Sequence, residues 1–143
     1  MTLAQHSTLT GIAAALLLPV LEYQELVLFA VGAVLIDVDH YFLYIQRRRD
    51  FSVRGMFRYF EELQPIQKNI PYIGLCLFHT VDFLLALLLL SRFYPLFWPL
   101  LAGALFHFVL DLIDLKRKGI LFIRPYFLVE HLIRRRAPGY PWY

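Results

Sequence analysis

Gly32-Ala33-Val34-Leu35-Ile36-Asp37-Val38-Asp39-His40 places three ionisable groups in the middle of an apolar segment covering residues 26–45. Twenty mainly apolar residues is the length a helix needs to cross a bilayer. A carboxylate near the bilayer centre costs at least about 2.5 to 3.5 kcal/mol on insertion scales, so Asp37 and Asp39 need partners. The other apolar stretches supply them, with His79 in one and His107 and Asp111 in another, while His6 sits near the start of the first. Aspartate and histidine gathered without matching Lys or Arg point to a metal ion.

Composition gives the frame for this reading. The chain has 143 residues, of which 59% are apolar and 17% charged. That apolar share exceeds the roughly 45 to 50% of soluble domains. We therefore expect an all-α integral membrane protein, a single transmembrane domain folded as a four-helix bundle with an amphipathic C-terminal segment on the cytoplasmic side. The spans are expected at 3–21, 26–45, 72–91 and 96–115, with a loop at 46–71 and a tail at 116–143. Pro19 ends the first span, and Arg92, Tyr94 and Pro95 mark the turn between the last two. The loop is expected to hold a short amphipathic helix near 57–63, and the tail a surface-lying one within 120–133. The N-terminal stretch lacks the cationic region of a signal peptide, so the first span is expected to stay in place. Cys76 is the only cysteine. It permits no internal disulfide, and a small buried thiol is its expected role.

Basic residues set the expected orientation. Arg47, Arg48, Arg49, Arg54, Arg58 and Lys68 fall between the second and third spans; Lys116, Arg117, Lys118, Arg124, Arg134, Arg135 and Arg136 follow the fourth. Only Arg92 remains for the other side. The positive-inside rule then puts loop, tail and both termini in the cytoplasm of a bacterial or archaeal cell. The same cationic runs suit anionic lipid head groups as partners; no nucleic-acid partner is expected.

With 1.5 Å of rise per residue, the polar groups of the four spans fall in one layer on the cytoplasmic side. Asp37, Asp39 and His40 lie about 7 to 13 Å from the end of their span, His79 about 10 Å into its own, His107 about 12 Å and Asp111 about 6 Å from the end of theirs. Spacing of three and four puts Asp37 with His40, His79 with Asp82, and His107 with Asp111 and Asp114 on shared helical faces. Asp39 points elsewhere on a regular helix, so either a local distortion turns it inward or it supports a ligating histidine from outside. The expected ligand set is His6, Asp37, Asp39, His40, His79, His107 and Asp111. Asp82, Asp114, Glu130 and His131 are weaker candidates. Imidazole and carboxylate together suit a divalent transition metal, zinc first, with iron or manganese as alternatives. The donors are enough for one ion or two.

These residues resemble a family. The segment from Gly32 to His40, then Phe78-His79-Thr80 opening an apolar helix, and Gly103-Ala-Leu-Phe-His-Phe-Val-Leu-Asp111 are similar to the motifs of the YdjM-like membrane-bound metal-dependent hydrolases. His6 and Gly11 match the family's early histidine in the first helix. The likeness runs from His6 to Asp111, with Ile36 where the family usually has proline, and Gly74, Leu75 and Cys76 where it often has a further histidine. The resemblance implies a hydrolase, and a distant likeness to the helical zinc-dependent phospholipases C and nucleases. The function expected is metal-assisted hydrolysis of a phosphoester on a phospholipid or related lipid, reached from the cytoplasmic leaflet of the inner membrane, with Asp39 as catalytic proton acceptor. A di-iron membrane oxidoreductase and a non-catalytic metal transporter or scaffold are the competing classes. The first lacks HxxH or HxxxH repeats, and the second should hold its ligands at the bilayer midplane.

Overall fold

Helices form along the apolar segments, with breaks from regular α-helix at Asp37 and His79 but none at His107 and Asp111. The computed structural model describes residues 3–70 and 72–136, and these are helical or irregular, with no strand among them. Helix α1 covers Leu3–Leu17, α2 Tyr23–Val34, α3 Val38–Arg48 and α4 Val53–Leu63. Helices α5, Val81–Phe93, α6, Phe97–Lys118, and α7, Leu128–Arg136, complete the order. Pro71 at the end of the loop, and the tail beyond Arg136, lie outside the described residues.

A single 3-10 turn, Leu35–Asp37, joins α2 to α3 and keeps Tyr23–Arg48 one helical run of 26 residues. This run and the 22 residues of α6 are the two described helices long and apolar enough to cross a membrane. The other two expected spans are shorter as helices: α1 has 15 residues and α5 has 13. At 1.5 Å per residue each falls short of a hydrocarbon core about 30 Å thick.

The third expected span, 72–91, needs correction. Helix α5 begins only at Val81, and the segment before it is irregular and tied to a distant part of the chain at its two ends. Ile73 N donates to Ile123 O at 2.8 Å, and Val81 N to Tyr126 O at 2.8 Å. His79 therefore lies in the 3-10 turn Leu77–His79, ahead of the helix. Thr80 then caps α5, its hydroxyl accepting from Phe83 N at 3.2 Å.

The expected tail helix is also revised. Residues 120–126 fold back against the bundle as a 3-10 turn at Leu121–Ile123 and a buried Arg124, and a helix forms only from Leu128. Gly119, at φ 70°, ends α6 in a left-handed cap and sends the chain back. The amphipathic loop helix is present as α4, opened by Ser52, whose hydroxyl accepts from Gly55 N at 3.0 Å.

Two close approaches hold α2 against α6. A β-carbon on Gly32 would stand 2.2 Å from Leu100 O, and one on Gly103 would stand 2.0 Å from Phe29 O. Only glycine lets the two backbones meet there, the small-residue packing familiar between helices in lipid. Around this crossing, Ile36, Leu84, Leu87, Leu101, Ala104 and Phe108 form the main core. A second cluster, Tyr44, Tyr59, Leu63 and Ile70, seats α4 on α3.

Candidate metal centre

The α2–α6 crossing decides how His107 is used. It brings Ala33 O within 2.8 Å of His107 Nδ1. A carbonyl can only accept, so Nδ1 carries the proton and Nε2 presents its lone pair. His79 is held in the same sense. Its Nδ1 lies 3.0 Å from Asp39 Oδ2, which also accepts from Phe78 N at 2.9 Å. Its Nε2 therefore faces inward too, and the two Nε2 atoms meet at 3.1 Å. Both imidazoles are fully buried. With each Nδ1 engaged, the two Nε2 atoms face each other across a gap that can share a proton or take a metal ion.

Two carboxylates close the set. Asp37 Oδ1 lies 3.4 Å from His79 Nε2 and 3.3 Å from His107 Nε2. Asp111 Oδ2 is 3.7 and 3.9 Å from the same atoms. Zinc bonds of about 2.0 to 2.1 Å to nitrogen and oxygen imply tetrahedron edges of roughly 3.3 to 3.4 Å. The observed separations straddle that value, with Asp111 the farthest. Asp111 is anchored from outside by His6 Nε2, 3.0 Å from Oδ1, and by Arg124 Nη1, 2.8 Å from Oδ2. His6 also stacks on His107, with ring centroids 4.0 Å apart.

A further set of donors adjoins the first. His40 Nδ1 lies 3.3 Å from Asp37 Oδ1 and 3.1 Å from Asp39 Oδ1. Despite that proximity, His40 Nδ1 and Asp39 Oδ1 are both buried without a hydrogen bond, because the contact is misaligned. Cys76 offers its sulfur to the same pair within 4.8 Å. Buried His and Asp groups here can thus hold a metal ion.

The seven expected residues lie in one network of contacts, with Asp37, His79, His107 and Asp111 around the facing Nε2 atoms and His6, Asp39 and His40 beyond them, and the turn Leu35–Asp37 interrupts the helical run just before Asp39. Asp39 supports the His79 ring from outside, one of the two routes foreseen for it. The weaker candidates stay outside the cluster. Asp82 accepts from Leu128 N at 2.8 Å, Asp114 pairs with Lys118 at 2.7 Å, Glu130 pairs with Arg134 at 2.6 Å, and His131 Nδ1 meets Tyr72 Oη at 2.5 Å.

Cys76 is the buried thiol expected from the sequence, and it also stands beside Asp39 and His40. Sequence reasoning missed one residue of the cluster. Arg124, assigned to membrane orientation, is 4% exposed and bonded to Asp111. Burial works against its charge, but the Asp111 carboxylate outweighs burial and holds the guanidinium pKa above its ordinary value. Arg124 is the single cation within the apolar run 120–126.

No protein-family model, curated protein or solved structure matches this chain.

Proposed function

We propose that this chain is a membrane-embedded zinc-dependent hydrolase of lipid phosphoesters, of the YdjM-like kind, working from the cytoplasmic leaflet. The observation that carries the reading is the meeting of the His79 and His107 Nε2 atoms at 3.1 Å, with each Nδ1 already engaged and Asp37 closing the set. Exposed apolar residues support the membrane setting. Leu16, Leu89, Val109 and Ile113 turn outward, and Tyr23, Tyr94 and Trp98 stand exposed at the helix ends opposite the arginine runs. Tyrosine and tryptophan favour the level of the head groups. In this setting α1 and α5 complete the four-helix bundle as partial crossings, and α4 and α7 lie on its cytoplasmic side.

Access supports a lipid substrate. Between α3 and α4 runs a groove of about 770 Å³, lined by apolar residues such as Val38, Met56, Phe57 and Phe60, in which Asp37 and His40 are the polar groups nearest the cluster. A lipid chain fits such a trough while its phosphoester meets the centre.

When bound, the ion supplies polarisation of a phosphoryl oxygen and acidification of water. The remaining work falls to the chain. His79, His107, Asp37 and Asp111 would hold the ion. Asp39 Oδ2 fixes the His79 ring, and its Oδ1, buried without a hydrogen bond, would accept the proton given up by the activated water. His40 Nδ1 is buried 3.1 Å from that oxygen, and the His40 ring lines the groove.

The test is a pair of variants. Asp39→Asn keeps an oxygen for His79 Nδ1 but loses basicity, so it should retain metal and lose about 100-fold or more in phosphate release from lipids in mixed micelles. His79→Ala should lose metal and release together. A metal-loaded wild type that releases nothing from phospholipids and isoprenoid phosphates would count against the reading.

A further inference from the structure

Arg124 uses only part of its hydrogen-bonding capacity. Nη1 bonds to Asp111, but Nε and Nη2 are shielded from solvent and have no hydrogen-bond partner among the described residues, the guanidinium otherwise standing 6.0 Å from the centre of the Tyr126 ring. A charged guanidinium left with unmet buried donors is costly, and in proteins such donors usually meet an anion or ordered water. Arg124 also lines a cavity of about 150 Å³ beside the metal centre, together with His40, Gln64, Gln67 and Lys118. A water needs only about 10 to 15 Å³ of such space, so the cavity takes a larger polar group. Its acidic neighbours are engaged, Asp111 by His6 and Arg124 and Asp114 by Lys118.

The cavity does not stand alone. His40, Phe60 and Gln64 line both it and the apolar groove between α3 and α4. A polar chamber backed by arginine therefore shares a wall with an apolar trough, and the metal cluster borders both.

We propose that this cavity is a phosphoryl subsite, in which Nε and Nη2 of Arg124 bind two oxygens of a phosphoryl group while Nη1 keeps Asp111 in place. A guanidinium edge matches two such oxygens side by side, which an ammonium cannot do. Gln64, Gln67 and Lys118 supply further donors from the cavity wall. This deepens the hydrolase reading by giving its substrate an anchoring residue, but binding does not depend on turnover. The ligand is a phosphoryl group, carried on a lipid or free in the cytoplasm.

The experiment measures binding to full-length, detergent-purified, metal-loaded protein. The probes are phosphatidic acid in mixed micelles and inorganic phosphate, each against wild type and Arg124→Lys, with metal content determined in parallel. Arg124→Lys keeps a cation for Asp111 but gives up the paired donors, so it should retain metal and bind both probes about tenfold more weakly. Tighter binding of phosphatidic acid than of phosphate identifies the lipid as the source; equal binding identifies the free anion, and both outcomes support the subsite. Wild-type affinity in a metal-loaded Arg124→Lys protein overturns it. Should Arg124→Lys fail to fold, the double change Gln67→Ala and Lys118→Ala should still weaken phosphate binding several-fold, and an unchanged affinity there overturns the proposal. Arg124-dependent binding without hydrolysis would defeat the hydrolase reading and leave the subsite standing.

Discussion

At the scale of single residues, the cluster gathers buried His and Asp groups that can hold a metal ion. Asp37, Asp39 and Asp111 crowd two buried imidazoles whose inward nitrogens carry lone pairs. A bound ion stabilises the folded state by mass action, about 2.7 kcal/mol when its concentration is 100 times the dissociation constant. Chelator should therefore lower the unfolding temperature of the wild type by several degrees, read by a thiol-reactive or tryptophan probe in detergent. His107→Ala should unfold at one temperature with or without chelator. Most of this cluster was legible, because Asp and His are conspicuous among apolar neighbours. Arg124 was not, since an arginine that bonds Asp111 across the fold reads, in sequence, like any other member of a basic run.

At the scale of elements, two glycines set the position of the site. Gly32 and Gly103 let α2 and α6 touch, and that contact is what places Ala33 O on His107. Gly103→Ala would put a methyl 2.0 Å from Phe29 O, so the helices must separate. We expect a loss of about 1 to 3 kcal/mol or more, together with weaker metal retention. Gly11→Ala meets nothing within 4 Å and should instead stabilise α1 by roughly 0.5 to 1 kcal/mol. Thermal unfolding of the two variants, with metal content measured on each, checks both signs.

Helix α7 offers a pH test. Its His131 is paired with Tyr72, and burial, followed by Arg135 and Arg47, lowers its pKa below the ordinary 6.5. A depressed histidine contributes stability that is fully present above the unfolded value and is lost as pH falls through the folded one. Protection of α7 amides from hydrogen exchange, taken relative to their intrinsic rates at each pH, should fall below about pH 6.5 and stay constant over that window in His131→Gln.

The helical runs of 23–48 and 97–118 were legible from their apolar length, and α4 from its loop periodicity. Residues 72–80 were not. Their backbone bonds reach Ile123 and Tyr126, and pairing across fifty residues leaves no local pattern to read. The turn Leu35–Asp37 was foreseen only as one of two alternatives for Asp39, because it breaks no apolar run and carries no proline or glycine.

At the scale of the whole molecule, thirteen of fourteen basic residues lie in the loop and after the last span, which predicts that both face the cytoplasm. A reporter fused after Tyr143 should read cytoplasmic, and an accessible tag between Leu21 and Leu26 should read external; reversed labelling would move the site to the outer leaflet. The metal centre itself is tested most directly by elemental analysis of detergent-purified protein, prepared without chelator, beside His107→Ala. The account predicts about one or two zinc ions per wild-type chain and well below one in the variant. Wild-type protein holding well below one transition-metal ion per chain would contradict it.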